Sequence, residues 1–356
     1  MSLRRGALSV ALLLGSVNAA CVNFRPPPVP VAAGAAGDAP TPVWTSRAGR
    51  RFTGLQLGGN VLYGGSVDRK VYAVDLTNGD VRWSSRLPGM ILGGILLAGD
   101  TIFAASSRPQ GRIYALDRTR GKQIWKASTD PIAAPLALID GVLIALTQRG
   151  DVLAFDPRTG AERWHRRVGV SRTAAVVAGS GGLLVATTDS LIRLQVADGK
   201  VTHRAGSPGA IVSPWLAHGG GLLAGTTDSQ LVSIRPEDLT VMWTLKVDAP
   251  VLGSPAALGD TLFLATRLGT VYRIGPGPEP VAKRIASLHW PVSAPVSLVA
   301  GQVILGGADG TIRALRTDGS EIWRVRVWSP VELGPIAVTD GLIAVGGNGD
   351  LHRFRQ

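Results

Sequence analysis

Cysteine is nearly absent: Cys21 is the only one in 356 residues. A chain with one cysteine closes no disulfide within itself, so its stability has to come from buried apolar surface. Charge is sparse too. Asp, Glu, Lys and Arg together make up 17% of the chain, and the acids number 25 against 37 bases, for a formal net charge of +12. Low charge with 45% hydrophobic residues is the opposite of a disordered composition. The basic excess holds no Lys/Arg run interleaved with aromatics, which argues against a nucleic-acid partner. The five histidines, His165, His203, His218, His289 and His352, have no paired metal-ligand spacing. No G-x-S-x-G stands at a strand-to-helix turn. The glycine runs GSGG (179–182) and GGG (219–221) read as hairpin turns, since no helix follows that would receive a phosphate.

Long apolar runs are confined to the N-terminus. MSLRRG is a short positive start, and ALSVALLLGSV is too short for an ordinary membrane-spanning helix. NAAC follows, ending at Cys21. A lone Cys behind an apolar segment and two alanines resembles a bacterial lipoprotein signal, in which residues 1–20 are removed and Cys21 is lipidated. The alternative is ordinary cleavage after Ala19 or Ala20 and release as a free secreted protein. On the first reading Val22, which is not Asp, favours the outer membrane. Residues 21–40 then form the lipidated Cys and a Pro/Ala/Gly tether, whose extended length is on the order of 50 Å.

What the chain does have is Gly (46), Pro (23) and a repeat. VYAVDLTNGDVRW, IYALDRTRGKQIW and VLAFDPRTGAERW end at Trp83, Trp125 and Trp164. With Trp44 ahead of them the spacings are 39, 42 and 39, and Trp243 and Trp323 follow after 79 and 80 residues, two periods each. His203 and Lys283 occupy the two skipped positions. Each period reads as four short strands joined by Gly/Asp turns, as in PLALI, GVLIAL, VLAFD and ERWHRRV, and four strands per period of about 40 residues make a propeller blade. The last period has three strands and the first, around PVWTSR, only a fourth. The expectation is therefore an all-β, eight-bladed propeller of four-stranded blades over residues 41–356, closed by the N-terminal strand. Trp44, Trp83, Trp125, Trp164, Trp243 and Trp323 are its structural repeat, holding neighbouring blades together, and Gly79, Gly121 and Gly160 supply positive φ in the turns.

The phrase A-x-D-x-x-x-G-x-x-x-W ending at Trp83, Trp125 and Trp164 resembles the tryptophan-docking repeat of quinoprotein (PQQ) dehydrogenases and their noncatalytic relatives. The resemblance covers essentially all of 41–356. Gln195, Arg235 and Gly275 depart from it by replacing the Asp, and ALRTDG has a turn one residue shorter. The enzyme branch implies calcium ligands from several inner loops, an Asp base, an indole floor and commonly a vicinal Cys pair. Here the pair is absent and the inner strands are apolar, with Trp215 and Trp290 as the off-lattice indoles near first strands. The chain is more similar to the noncatalytic lipoprotein propellers of the outer-membrane β-barrel assembly machine, the BamB family. That resemblance implies no enzyme activity, no cofactor and no metal. It implies a monomeric scaffold, held to the outer membrane by lipid and facing the periplasm. Its protein partner would be the periplasmic domains of the barrel-inserting protein, docked through loops between central blades. VGVSR, with Arg172, takes the place of a Leu/Arg loop of that family, whereas SPGAIVSP (207–214) lacks the acidic pair of the next loop. An envelope propeller with another partner remains the alternative, and a PQQ-dependent dehydrogenase the more distant one.

In a propeller the second-to-third turns and the blade-to-blade connections share one face. Arg69, Lys70, Arg108, Arg112, Arg149, Arg172 and Arg267 fall on it as candidate partner-binding residues, with Asp189, Asp228 and Asp309 among them.

Overall fold

The computed structural model describes residues 29–30, 39–107, 110–132, 134–169, 177–179, 182–277, 279–292 and 294–356. Every regular element among them is a strand, and the strands form eight antiparallel sheets. Blade 1 consists of Phe52–Leu57, Val61–Ser66, Lys70–Asp75 and Val81–Arg86, paired in that order from the axis outward. Blades 2 to 7 repeat the order, ending in the outer strands Gln123–Thr129, Glu162–Arg167, Val201–Gly206, Val241–Lys246, Ala282–Ser287 and Glu321–Arg326. In blade 8, Val331–Val338, Gly341–Gly346 and Asp350–Arg355 are completed by Thr41–Arg47 from the other end of the chain, with Thr41 opposite Arg355 and Arg47 opposite Asp350. The ring therefore closes between first and last strands, leaving no open sheet face.

The burial of each strand follows its place in the blade. Second strands such as Val142–Leu146 and Gly182–Ala186 are buried throughout, because neighbouring blades cover both faces. Their sequences, VLIAL and GLLVA, are accordingly unbroken apolar runs rather than alternating ones. Outer strands alternate instead: in Val81–Arg86 and Val241–Lys246 every second residue from the lattice Trp is half-buried and the rest are exposed. One apolar cluster fills each blade junction. Tyr63, Val71 and Ala73 of blade 1 meet Ile95, Ile102 and Tyr114 of blade 2, and Ile343, Val345 and Leu351 of blade 8 meet Leu62, Tyr72 and Val74 of blade 1. Burial of these layers is the main stabilising term for a chain without disulfides.

The tryptophans lock the junctions at their outer rim. Trp44, Trp83, Trp125 and Trp164 each donate the indole N–H to a carbonyl of the following blade, at Leu76 (2.8 Å), Arg118 (3.2 Å), Pro157 (2.9 Å) and Val196 (2.8 Å). The ring then lies on the turn glycine three residues further on. Gly79, Gly121, Gly160 and Gly199 have φ of 78°, 66°, 74° and 68°, and a Cβ on any of them would lie 2.5 to 2.8 Å from an indole carbon. Conformation and contact both demand glycine there. The Asp of the motif caps the turn: Asp75, Asp117 and Asp156 accept the backbone N–H of Thr77, Arg120 and Arg158 at 2.7 to 2.9 Å. Opposite the Trp on the third strand stands Ala73, Ala115 or Ala154, small enough to leave the indole flat against the sheet.

Departures from the motif change the junction in ways the repeat alone does not reveal. Blade 4 carries His203 instead of an indole, and the facing turn of blade 5 carries Leu239 instead of glycine. Leu239 keeps the left-handed turn (φ 65°) and is buried in the slot where a ring would lie. Between blades 7 and 8 there is no continuous turn to dock on, because the chain ends meet there. Trp323 is nevertheless buried, donating to Gln302 Oε1 at 3.1 Å within its own blade. Two residues of the tether also belong to the fold. Val29–Pro30 pair antiparallel with the outer strand of blade 7, opposite Arg326 and Val325, as a fifth strand. Proline is tolerated there because an edge strand needs no N–H on its outward side.

Gly160→Ala should destabilise the ring by about 2 kcal/mol or more, from positive φ and the Trp125 contact together. Leu239→Ala should cost a similar ~2–5 kcal/mol by opening a cavity. Urea unfolding of both variants measures this; a neutral Gly160→Ala would remove the docking argument. The turn aspartates give a second expectation. The Thr77 N–H and Arg82 hold the Asp75 carboxyl below its ordinary 3.8, the Thr119 hydroxyl and Arg120 N–H do so for Asp117, and Arg163 and the Arg158 N–H for Asp156. Depressed folded-state values stabilise the fold above the ordinary carboxylate range, and that contribution is lost as pH falls through them. Thermal stability should therefore fall below about pH 4, and Asn at all three positions, which keeps the cap but does not titrate, should flatten the loss.

Candidate functional site

Two sets of backbone hydrogen bonds lace one face of the ring. Second-to-third turns bond the end of their own outer strand, as in Leu87 N–H to Arg69 O (2.8 Å), Val168 to Gly150 O (2.9 Å) and Val247 to Ser229 O (2.9 Å). They also bond the connection arriving from the preceding blade, as in Gln148 N–H to Pro131 O (2.8 Å), Thr227 to Ala210 O (3.0 Å) and Arg267 to Pro250 O (2.9 Å). The turns and connections thus form one continuous, internally bonded loop face, which holds surface side chains on a rigid base.

The described candidate residues fall in blades 1, 2, 3 and 6 of that face, without being gathered into a cluster. Arg69 sits in the blade 1 turn with φ 69°, and Lys70 follows it with Nζ 5.8 Å from the Tyr72 ring. Arg112 is the second residue of the third strand of blade 2, Gly111–Asp117, its guanidinium donating to Gln110 Oε1 at 2.9 Å. Arg149, in the blade 3 turn, lies 3.3 Å from Asp130 of the adjoining connection. Arg267 is in the blade 6 turn. Cys21, Arg108 and Arg172 lie outside the described residues. The acids are committed locally. Asp189 accepts from Ser190 (3.0 Å) and Thr187 (3.1 Å), which hold its carboxyl below the ordinary range; Asp228 accepts from Gln230 (2.7 Å); and Asp309 accepts from the Thr311 hydroxyl (2.7 Å). The off-lattice Trp215 and Trp290 pack into junction clusters, and the Arg313 guanidinium lies 4.4 Å from the Trp290 ring.

Sequence reasoning missed the apolar side of the face. Met90 (41% exposed) in the connection from blade 1, Leu268 (62%) in the blade 6 turn and Trp328 (50%) in the connection from blade 7 are large exposed hydrophobics. The Trp328 spacing held a signal: it stands five residues past Trp323, beyond the end of the outer strand, so it cannot belong to the docking lattice. Arg313 was missed as well. It is buried, 2.8 Å from Glu321 and 3.7 Å from Asp309, and ties the blade 7 turn to its outer strand.

The opposite face holds a cavity of about 390 Å³ between blades 5 and 6, lined by Trp243, Met242, His218, Arg235, Asp260 and Pro276. It is an undocked junction. Blade 6 has Gly275 in place of the capping Asp and Glu279 in place of the turn glycine, in GPGPEP, so the turn facing Trp243 lacks both residues of the docking motif. The Trp243 indole N–H makes no hydrogen bond among the described residues. Among those residues no three His, Cys, Asp or Glu side chains converge where they could hold a metal ion.

Indoles docked on the glycine turns of an eight-bladed ring define a PQQ-repeat propeller. A family model described as "Outer membrane protein assembly factor BamB" matches residues 35–187 and 109–216, together just over half of the 356. The chain belongs to that family. It is 26% identical to the Outer membrane protein assembly factor BamB of Escherichia coli K12 over 285 residues, covering 62% of this chain and 71% of that protein. To the BamB of Salmonella typhimurium it is 27% identical over 296 residues, 65% and 74% of the two chains. A solved structure of BamB from Moraxella catarrhalis superposes with a TM-score of 0.76 at 16% identity, over 89% of this chain and 100% of that one. The computationally designed Ika8 protein superposes with 0.73 at 14% identity, so this degree of structural likeness speaks for the fold alone.

The Arg149–Asp130 pair is solvent-exposed, with side chains 67% and 40% accessible. Arg149→Ala should therefore change unfolding stability by less than about 1 kcal/mol. Urea titration checks this, and a neutral result means that any cellular defect of the variant comes from binding, not folding.

Proposed function

We propose that this chain is a noncatalytic periplasmic propeller that assists outer-membrane protein assembly. The observation that carries the reading is the match to the BamB family over residues 35–216, on a ring of eight blades. A rigid ring with one laced loop face suits docking, since the loops present side chains without paying ordering entropy on binding. The chain works as a scaffold rather than an enzyme, and its place is the periplasmic side of the outer membrane.

Finer points extend the same reading. Residues 1–20 act as a lipoprotein signal, Cys21 carries the lipid, the propeller domain spans 41–356, and the partner is the set of periplasmic domains of the barrel-inserting protein. The docking residues are drawn from Arg69, Arg108, Arg112, Arg149, Arg172 and Arg267. A second protein partner is the competing reading, and the acid-free loop at 207–214 favours it.

In-cell crosslinking with a photoreactive residue at Arg149 or Arg172 tests the partner. Capture of the barrel-inserting protein is the expected outcome. Consistent capture of a different envelope protein, with that one absent, would reassign the face to the other partner.

A further inference from the structure

At four junctions the lattice indole meets the same partner. Trp44, Trp83, Trp125 and Trp164 each give the N–H to a carbonyl of the next blade's turn and lay the ring on its glycine. Trp243 holds the equivalent place on blade 5, opposite Ser233, but lines the cavity between blades 5 and 6. Its N–H makes no hydrogen bond among the described residues, whereas an indole N–H sheltered from water ordinarily finds an acceptor. Trp125 borders a cavity too, but its N–H and ring are already taken by Pro157 and Gly160. Trp243 is thus one half of a contact that the molecule completes four times elsewhere.

The cavity has the size and chemistry of a ligand site. Its volume of about 390 Å³ falls within the range of ~300–1,000 Å³ usual for such sites. Buried Leu262 and Ile274 make its inner wall apolar beside the ring. Ser233, also buried, adds a hydroxyl whose bond is to the Met242 sulfur at 3.8 Å, a weak acceptor. Arg235 and Asp260 bring charges of opposite sign to the lining. Among the described residues only Nη1 of Arg235 is bonded, to Asp238 at 3.3 Å and Thr240 at 3.2 Å. Its Nε and Nη2 can therefore take a carboxylate in the bidentate manner.

We propose that this cavity is a binding site for a glycine-containing turn of a partner protein. A carbonyl of that turn accepts the Trp243 N–H, and its glycine lies on the ring. Glycine is required for the same reason as in the chain's own turns, where a Cβ would come within 2.5 to 2.8 Å of an indole carbon. An acid ahead of the glycine pairs with Arg235, and a base in the turn complements Asp260. The chain's own DPRTGA, residues 156–161, has each of these features and already docks on Trp125. The cavity lies on the face opposite the laced loops, so this partner and one held by the loops do not compete for surface. A small aromatic carboxylate is the rival occupant.

The test uses the whole protein labelled with 5-fluorotryptophan, and a cyclic peptide carrying DPRTGA as the probe. Trp243→Phe assigns the Trp243 resonance in the ¹⁹F spectrum. The peptide should shift that resonance saturably and leave the other eight indole signals in place. By calorimetry its affinity should fall about tenfold in Trp243→Phe, which loses the N–H. It should fall severalfold in Arg235→Gln, an exposed change that spares the core. A peptide with Ala for its Gly should bind at least about tenfold more weakly. Gly275→Asp with Glu279→Gly restores the motif in the chain's own turn, which should then occupy the ring and exclude the peptide. The absence of a saturable Trp243 shift at millimolar peptide would overturn the proposal, as would undiminished binding to the Gly275→Asp, Glu279→Gly protein. Saturation of the Trp243 signal by benzoate but not by the peptide would overturn it in favour of the rival occupant. None of these outcomes depends on whether the chain serves outer-membrane assembly, so the two ideas fail separately.

Discussion

An indole from one blade lies flat on a glycine turn of the next, and the N–H of that indole finds a carbonyl in the same turn. This contact, repeated from Trp44 to Trp164, sets the geometry of half the ring. A four-stranded blade cannot bury both its faces alone, so each depends on its neighbours for a core. The inner and second strands meet neighbouring blades through non-directional apolar packing. The rim contact is directional, and it fixes how far each blade is rotated against the next. The capping Asp, the positive-φ Gly and the small residue opposite the Trp are three local requirements of one tertiary contact. That explains why they recur together.

The remaining junctions show what happens when part of the set is missing. Loss of the indole at His203 is compensated by Leu239, which fills the slot from the opposite side while keeping the turn. At blade 6 the capping Asp and the turn glycine are both replaced while the indole stays, and Trp243 lines a cavity. Between blades 7 and 8 the ring is stitched from both chain ends, and Trp323 bonds inward to Gln302. The ring tolerates these differences because the apolar layers at the junctions persist throughout. Its two faces differ: one is a laced set of loops with mixed charge and a few exposed apolar side chains, the other a rim of docked turns with cavities beside Trp125 and Trp243. A binding role distributed over the first face needs no acid–base pair and no metal cluster. It needs rigidity and a side-chain pattern, both of which the loop face has.

The blade count, the strand order within a blade and the ring closure were legible in the chain, because tryptophan spacing and alternating turn residues are local records of a repeated contact. The complementary ends, three strands after Trp323 and one before Phe52, were enough to predict Velcro-like closure. The positions of Arg69, Arg112, Arg149 and Arg267 on one face were legible too, since in a propeller the face follows from the place in the period. What the period does not carry is which of them come together, and the structure spaces them round the ring rather than gathering them.

Local sequence determined the strands, the left-handed turns and the burial of each second strand, because these depend on residues a few positions apart. Tertiary structure alone decided the rest. Leu239 as a stand-in for an indole, the cavity beside Trp243, the buried Arg313 between Asp309 and Glu321, and the addition of Val29–Pro30 to blade 7 each join residues distant in the chain or in different blades. Whether a side chain fills a slot or leaves it open depends on what the neighbouring blade presents, and a single period of sequence holds only one side of that contact.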